Sequence, residues 1–387
     1  MRILHTIAGL YESSGGPSRT TPALCEELAK LGASIEIVTQ WSRRVEGDYR
    51  VPKTDLVRTQ FVEALYEPRL RAAYSPRLRS VIREVCEDQR IDILHDHGIW
   101  LPANHSAIGV ARERKIPLVV SPRGMLEPWA LSYRAWKKKI AWTLYEKRDL
   151  ASVRAFCATS TEEAMSIRKC GCQQPIAVVP NGVFLPEPTV RPLRSLGPRF
   201  ALFLSRIHPT KGLLLLVEAW KRARPSGWHV IVAGPDESGH RKSVEEAVSA
   251  ANLGDVFEFV GPIKDEAKGL LFQKADVFVL PTMSENFGLV VAEALAYGVP
   301  VVTTTRAPWR GLVEHSCGWR VRPEVAELAR TIRDATALSD RERETMGARG
   351  RIWMEREFSW PSVGKRMLSV YEWILNGGIR PECVIEE

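Results

Sequence analysis

Glu285 and Glu293 stand eight positions apart, and the chain changes character between them. Residues 275–280 (ADVFVL) form an unbroken apolar run, the pattern of a strand covered on both faces. Pro281 stops that run, and residues 287–297 read as a helix ended by Gly298, Val299 and Pro300. Glu285 is therefore expected in the loop at the carboxyl end of a parallel strand, where open α/β sheets bind ligands. Glu293 falls in the second turn of the next helix. The N-terminus of that helix offers free backbone N–H groups and a positive dipole end to an anion. An ionised carboxylate accepts two hydrogen bonds from a vicinal diol. Such a site suits a sugar hydroxyl, a diphosphate and a ribose diol held together.

Arg206 and Lys211 form a second pair, in the run SRIHPTKG (205–212), again between an expected strand and helix. Arginine grips phosphate oxygens bidentately and lysine adds a movable point charge. Solvated loop cations are the plain alternative. Their place at the same sheet edge as the two glutamates favours phosphate binding.

The elements that must position these residues alternate along the whole chain. In the first half, strands are expected at 3–7, 35–39, 91–95, 118–121, 155–158 and 176–179. Helices are expected at 18–31, from Ser75-Pro76 through Val85, at 104–114, 132–150 and 161–169. Residues 183–199 hold four prolines and few apolar anchors, the composition of a linker. Beyond it come strands at 200–204, 228–233, 256–260, 277–280 and 301–304, with helices at 212–222, 243–251 and 287–297. A last amphipathic helix spans 361–375. Alternation in both halves predicts an α/β chain of two doubly wound parallel domains. The expected division is 1–185, a linker at 186–198, and 199–360, with 361–387 packing back on the first domain.

The 387 residues carry a formal net charge of +8, which favours anionic partners. A nucleic-acid role would rest on charge alone and is not adopted. The seven cysteines are odd in number and show no CxxC or zinc spacing, so packed thiols in a reducing compartment are expected. MRILHTIAGL reads as a strand and loop rather than a signal peptide, and no run reaches the length of a membrane span.

The run R-x4-K-G from Arg206, the G-P-x-x-D-E from Gly261, and A-D-V-F-V-x-P-x-x-x-E-x-F-G-x-x-x-x-E-A-L-A-x-G-x-P-V-V from Ala275 resemble the retaining glycosyltransferases of family four, glycosyl transferases group 1. The resemblance covers nearly the whole chain. It implies the GT-B architecture: two Rossmann-like domains facing a central cleft. It also implies a nucleoside-diphosphate sugar, GDP- or UDP-linked, as donor, with no cofactor and no metal. Arg206 and Lys211 would contact the diphosphate, Glu285 the sugar hydroxyls and Glu293 the ribose diol. Phe287, Gly288 and Leu289 at the helix start, Ile263 in the base-binding loop, and Gly16 in the Gly15-Gly16-Pro17 turn would complete the donor site.

One stretch departs from that pattern. Relatives often carry a T-F-H-G-like sequence after the fifth strand of the first domain, and here the matching run is Ser121-Pro122-Arg123-Gly124. A guanidinium stays charged and cannot act as a base, so Arg123 is expected to hold an oxygen rather than take a proton. In His95-Asp96-His97-Gly98-Ile99-Trp100, two histidines and an aspartate could suggest a metal, but no third ligand set is visible. His97 and Trp100 are assigned to the acceptor side. Residues 129–148 interleave Trp129, Trp136, Trp142 and Tyr145 with lysines and arginines. That pattern fits an anionic membrane surface contacted through 132–148, or a packed helix with a solvated basic face. Trp309 and Trp319 fit sugar stacking or packing equally.

The reading is a metal-independent retaining hexosyltransferase, cytoplasmic or at the inner face of the cytoplasmic membrane. It would act on a saccharide or polyprenyl/lipid-linked acceptor in cell-surface polysaccharide or lipopolysaccharide synthesis. A GT-B sugar-nucleotide epimerase or phosphorylase, and a non-catalytic nucleotide-sugar-binding protein, fit the same residues.

Overall fold

The computed structural model describes residues 1–12, 15–43, 49–67, 72–187, 197–237 and 239–386, with the backbone alone at 66, 67, 72, 73 and 266. The chain divides into two compact units, Met1–Gly182 with Trp360–Glu387, and Val183–Ser359. Val183 already belongs to the second unit, where its N–H donates to the Phe358 carbonyl at 2.8 Å. Of the expected linker, residues 188–196 lie outside the described residues.

The sheet of the first unit runs, edge to edge, Val384–Ile385, Ile176–Val178, Ala155–Ala158, Leu118–Ser121, Ile93–His97, Arg2–Ile7, Ser34–Trp41 and Val57–Glu63. The strand Val384–Ile385 pairs antiparallel, and the other neighbours pair in parallel. Neighbouring residues of one strand enter opposite cores, Ile93 and Val119 on one side, Leu94 and Val120 on the other. Both faces are thus covered, which is why these strands read as continuous apolar runs. Val57–Glu63 escaped the sequence reading because polar residues interrupt its apolar pattern and half of it faces solvent.

The helix Trp360–Asn376 buries Trp360, Val363, Met367, Val370, Tyr371 and Ile374 against the first unit's core. Six such side chains represent roughly 10 kcal/mol of gross burial before ordering costs, enough to hold the chain's end to this unit.

The second sheet runs Phe257–Gly261, Trp228–Ala233, Arg199–Leu204, Val277–Leu280, Val301–Thr304 and Gly318–Val321, all parallel. In this unit the sequence reading missed the half-buried strand Gly318–Val321 and the helices Asp265–Lys274, Val325–Ala337 and Asp340–Trp353. Each of these two sheets has a switch point where strand order reverses: between Arg2–Ile7 and Ile93–His97 in the first, and between Arg199–Leu204 and Val277–Leu280 in the second. Crevices outside the strand ends open at such points.

Candidate active site

The second unit's switch point gathers the residues singled out above. Arg206 and Lys211 follow the strand Arg199–Leu204, and Glu285 follows Val277–Leu280 beside it. Lys211 Nζ lies 2.5 Å from Glu285 Oε2, and Lys211 is only 9% exposed. Two glycines make this approach possible. Gly212 has φ +72°, and a Cβ there would fall 1.9 Å from the Pro281 carbonyl oxygen. Gly288 has φ +77°, and a Cβ would stand 3.0 Å from Glu285 Cγ. Only glycine adopts this backbone without a penalty and leaves the space open. The Met283 N–H donating to the Thr210 carbonyl at 2.7 Å ties the two loops together.

Arg206 is more open and pairs with Glu237 at 2.7 Å. Glu293 sits on the helix Leu289–Ala296, whose N-cap is Gly288, and pairs with Lys268 of the helix Asp265–Lys274. Neither Glu237 nor Lys268 was anticipated. Both partners sit on other elements, and the helix carrying Lys268 was not read. Phe287 corrects part of the expectation. Its ring lies in the core against Trp309, 5.2 Å between centroids, and its carbonyl accepts the Trp309 indole N–H at 2.5 Å. Only its backbone remains for a donor. Trp309 is a core residue, and Trp319 packs half-buried against that core. Leu289 and Ile263 are likewise half-buried, packed against the core.

In the first unit, Gly16 opens the helix Gly16–Lys30 after the first strand, and Cβ atoms built at Gly15 or Gly16 meet nothing within 4 Å among the described residues. Arg123 follows the strand Leu118–Ser121 at φ +55°. Its Nη1 donates to Asn181 Oδ1 at 2.8 Å and its Nη2 to His97 Nδ1 at 3.0 Å. The next residue's N–H, Gly124, donates to buried Glu163, which also accepts from Thr159.

His97 is buried, and so are His5 and His95. A guanidinium only donates, so His97 Nδ1 must accept and its Nε2 carries the proton. That Nε2 donates to His5 Nδ1 at 3.0 Å. His95 bonds Tyr371 at 2.5 Å and Ser121 at 2.8 Å. The three histidines place one ring nitrogen each within 4.8 Å of one another, so the third ligand judged missing from the sequence is His5. Both nitrogens of His97 are committed, however, and a fixed positive charge stands 3.0 Å from its ring. That charge opposes a cation, and the cluster acts as a hydrogen-bonded brace for Arg123.

Neither residue assigned to the acceptor side is exposed. His97 is buried with both ring nitrogens bonded. Trp100 is half-buried, donates to the Met125 carbonyl at 3.3 Å and packs on Trp142. His5, Asn181 and Glu163 gave no sequence signal beyond lying near strand ends, because their partners are remote in the chain.

Burial holds these histidines neutral, His5 down to about 3 with help from the Arg123 charge, and His95 and His97 well below the usual range. Burial pushes two carboxyls the other way, Asp96 to about 7 and Glu146 to about 8. Between pH 6.5 and 4.5, unfolding lets these three histidines take up protons and these two carboxyls release theirs. The histidines outnumber the carboxyls, so this cluster's contribution to the stability of the first unit should fall toward acid. Glu146→Gln removes one opposing group and should steepen that fall. Urea melts across that range measure it, and an unchanged slope in the variant would refute the assignment.

Residues 15–182 match the family described as Glycosyl transferase 4-like domain, and residues 190–353 match Glycosyl transferases group 1. The D-inositol 3-phosphate glycosyltransferase of Kribbella flavida is 27% identical, covering 92% of this chain and 90% of that protein. The GDP-mannose:cellobiosyl-diphosphopolyprenol alpha-mannosyltransferase of Xanthomonas campestris is 22% identical over 82% of each. The solved structure of Anabaena HepE in complex with UDP and glucose aligns with a TM-score of 0.72 at 18% identity, covering 96% of this chain and 99% of that one.

Proposed function

Because the chain belongs to the glycosyl transferases group 1 and has their GT-B fold of two Rossmann-like domains, we propose that it is a retaining, metal-independent hexosyltransferase. Its donor would be a GDP- or UDP-linked hexose. Its acceptor would be a saccharide or lipid-linked saccharide of cell-surface polysaccharide or lipopolysaccharide synthesis, met at the inner face of the cytoplasmic membrane. The observation that carries this reading is the Lys211–Glu285 pair, set at a switch point beside a helix N-terminus.

Departure of a nucleoside diphosphate builds negative charge on the leaving oxygens. Lys211 would turn from Glu285 to those oxygens, and Arg206 would turn from Glu237. Fixed donors aimed at developing charge lower a barrier more than they tighten substrate binding. Glu285, released, accepts from sugar hydroxyls, and Glu293 accepts from the ribose diol. The acceptor hydroxyl attacks the anomeric carbon from the face the phosphate vacates. Its proton passes to the leaving phosphate oxygen, so no protein base is needed. The names of the relatives support both candidate bases: GDP-mannose for the Xanthomonas enzyme, and UDP with glucose for HepE.

The test incubates the protein with labelled UDP- and GDP-hexoses and a membrane lipid extract, and reads product configuration by NMR. Transfer with the donor's anomeric configuration is expected. Inversion at the anomeric carbon would exclude the retaining mechanism. A changed sugar without acceptor would indicate the epimerase, and binding without turnover the non-catalytic protein.

A further inference from the structure

One surface of the first unit offers chemistry that sugar transfer alone does not require. Between the strands Leu118–Ser121 and Ala155–Ala158 the expected single helix is broken. The chain forms Pro128–Ser132, Ala135–Ala141, a π-turn at Trp142–Glu146 and Lys147–Ala151. Arg134 takes a left-handed φ of +53° at the break. The π-turn adds a residue to the helical repeat and re-aims the side chains beyond it.

The result is a segment with two different sides. Inward, Trp142 packs on Trp100 at 5.9 Å, the Tyr145 hydroxyl donates to the Trp100 carbonyl at 2.9 Å, and Glu146 and Asp149 are buried. Outward, Trp129, Tyr133, Trp136, Ile140 and Leu144 recur every three or four residues. All five are exposed, Trp136 to 66% and Leu144 to 74%. Cations ride on this stripe. The Arg134 guanidinium lies 5.4 Å from the Tyr133 ring centre and Lys137 Nζ lies 5.5 Å from that of Trp136. Lys139, Lys147 and Arg148 are exposed beside them. Lys138 differs, because its ammonium is bonded to the Ala130 carbonyl and sits over the Trp100 ring.

We propose that this stripe docks the enzyme on an anionic lipid bilayer. Indole and phenol rings settle at the headgroup level with their apolar bodies toward the acyl chains, and cations meet the lipid phosphates. No described helix is long and apolar enough to cross a membrane, so the contact is interfacial. A second copy of the chain is a poorer occupant. Opposing two stripes would bring Arg134, Lys137, Lys139, Lys147 and Arg148 of each copy together, while the segment's own acids, Glu146 and Asp149, are buried. The stripe follows the strand end that carries Arg123, so docking would hold that sheet edge near lipid. That last step rests on the proposed lipid-linked acceptor; the docking itself does not.

Vesicle flotation without any sugar nucleotide tests the docking separately from catalysis. The protein should float with phosphatidylcholine vesicles containing phosphatidylglycerol at low salt, and bind pure phosphatidylcholine at least about tenfold less. Lys137→Glu with Lys139→Glu should lower binding to the anionic vesicles by at least about tenfold, since each cation near such a surface is worth about fivefold. Trp136→Ser with Leu144→Ser should weaken it comparably. Ile379→Ser, elsewhere on the first unit and 97% exposed, should leave it unchanged. Circular dichroism and an unchanged melting profile certify that the variants fold. Wild-type protein that stays with the solution, variants that float unchanged, or a dimer in analytical ultracentrifugation that the variants abolish would each overturn the proposal. Docking together with failed sugar transfer would leave docking standing and remove the functional reading.

Discussion

Lys211→Met should cut turnover by about 10²–10³-fold and lower the melting temperature, and adding Glu285→Met should restore the melting temperature but not the turnover. The pair is mostly buried, with side chains 11% and 14% exposed. Removing one partner of a buried pair strands the other charge, which costs 3–5 kcal/mol when burial is complete and about 2–3 kcal/mol with this residual exposure. For a unit of this size that corresponds to roughly 5–10 °C. Two methionines of similar length cancel the stranded charge, so folding recovers. Catalysis does not, because the leaving phosphate has lost its cation and the sugar its carboxylate. Calorimetric melts and initial rates on the two single variants and the double variant decide the matter. Parallel loss of stability in all three would mean that the pair is structural. Calorimetry with the free nucleoside diphosphate separates the two glutamates further. Glu293→Ala should weaken binding by a few kcal/mol at most, and Glu285→Ala should leave it nearly intact, because that carboxylate faces the sugar. Equal losses would refute the division of roles.

Arg123→Lys and Arg123→His should both remain impaired by at least about 100-fold in turnover. The guanidinium spans Asn181 and His97 with two separate nitrogens. An ammonium is a point charge without that planar fork, and an imidazole cannot supply both contacts with a fixed charge. The pH–rate profile of the wild type should show no acid limb from Arg123, since arginine stays protonated throughout the working range. Ring-nitrogen NMR adds a readout that activity alone lacks. His97 should appear as the Nε2–H tautomer in the wild type and as a mixture in Arg123→Leu, where nothing fixes Nδ1 as an acceptor. Near-normal turnover in Lys or His variants would remove Arg123 from the reaction. An unchanged His97 tautomer in Arg123→Leu would show that the brace runs through other residues.

Much of this protein is legible in its sequence where one local rule governs. The strands Leu118–Ser121, Ala155–Ala158, Trp228–Ala233, Val277–Leu280 and Val301–Thr304 fall where apolar runs predict them, because strands buried on both faces need no alternation. Glu285, Arg206 and Lys211 stand out because strand-to-helix loops at carboxyl ends are where such sheets bind ligands. Elements failed to show where that signal was diluted. Val57–Glu63 and Gly318–Val321 lie at sheet edges, half in solvent, and carry polar side chains that a covered strand would exclude.

Only the tertiary structure decided which residues meet. Lys211 and Glu285 are 74 positions apart and touch because their strands are neighbours at the switch point. His5 is 92 positions from His97, and no pattern within its own strand marks it as that residue's partner. Trp309 could have stacked on a sugar by its type alone, and packing placed it in the core. The helix expected over 132–150 was right in composition and wrong in shape, and its break and π-turn set which aromatics face out. Local chemistry determines what each residue can do. Long-range contacts, chosen by burial of the whole core, determine which partner it does it with.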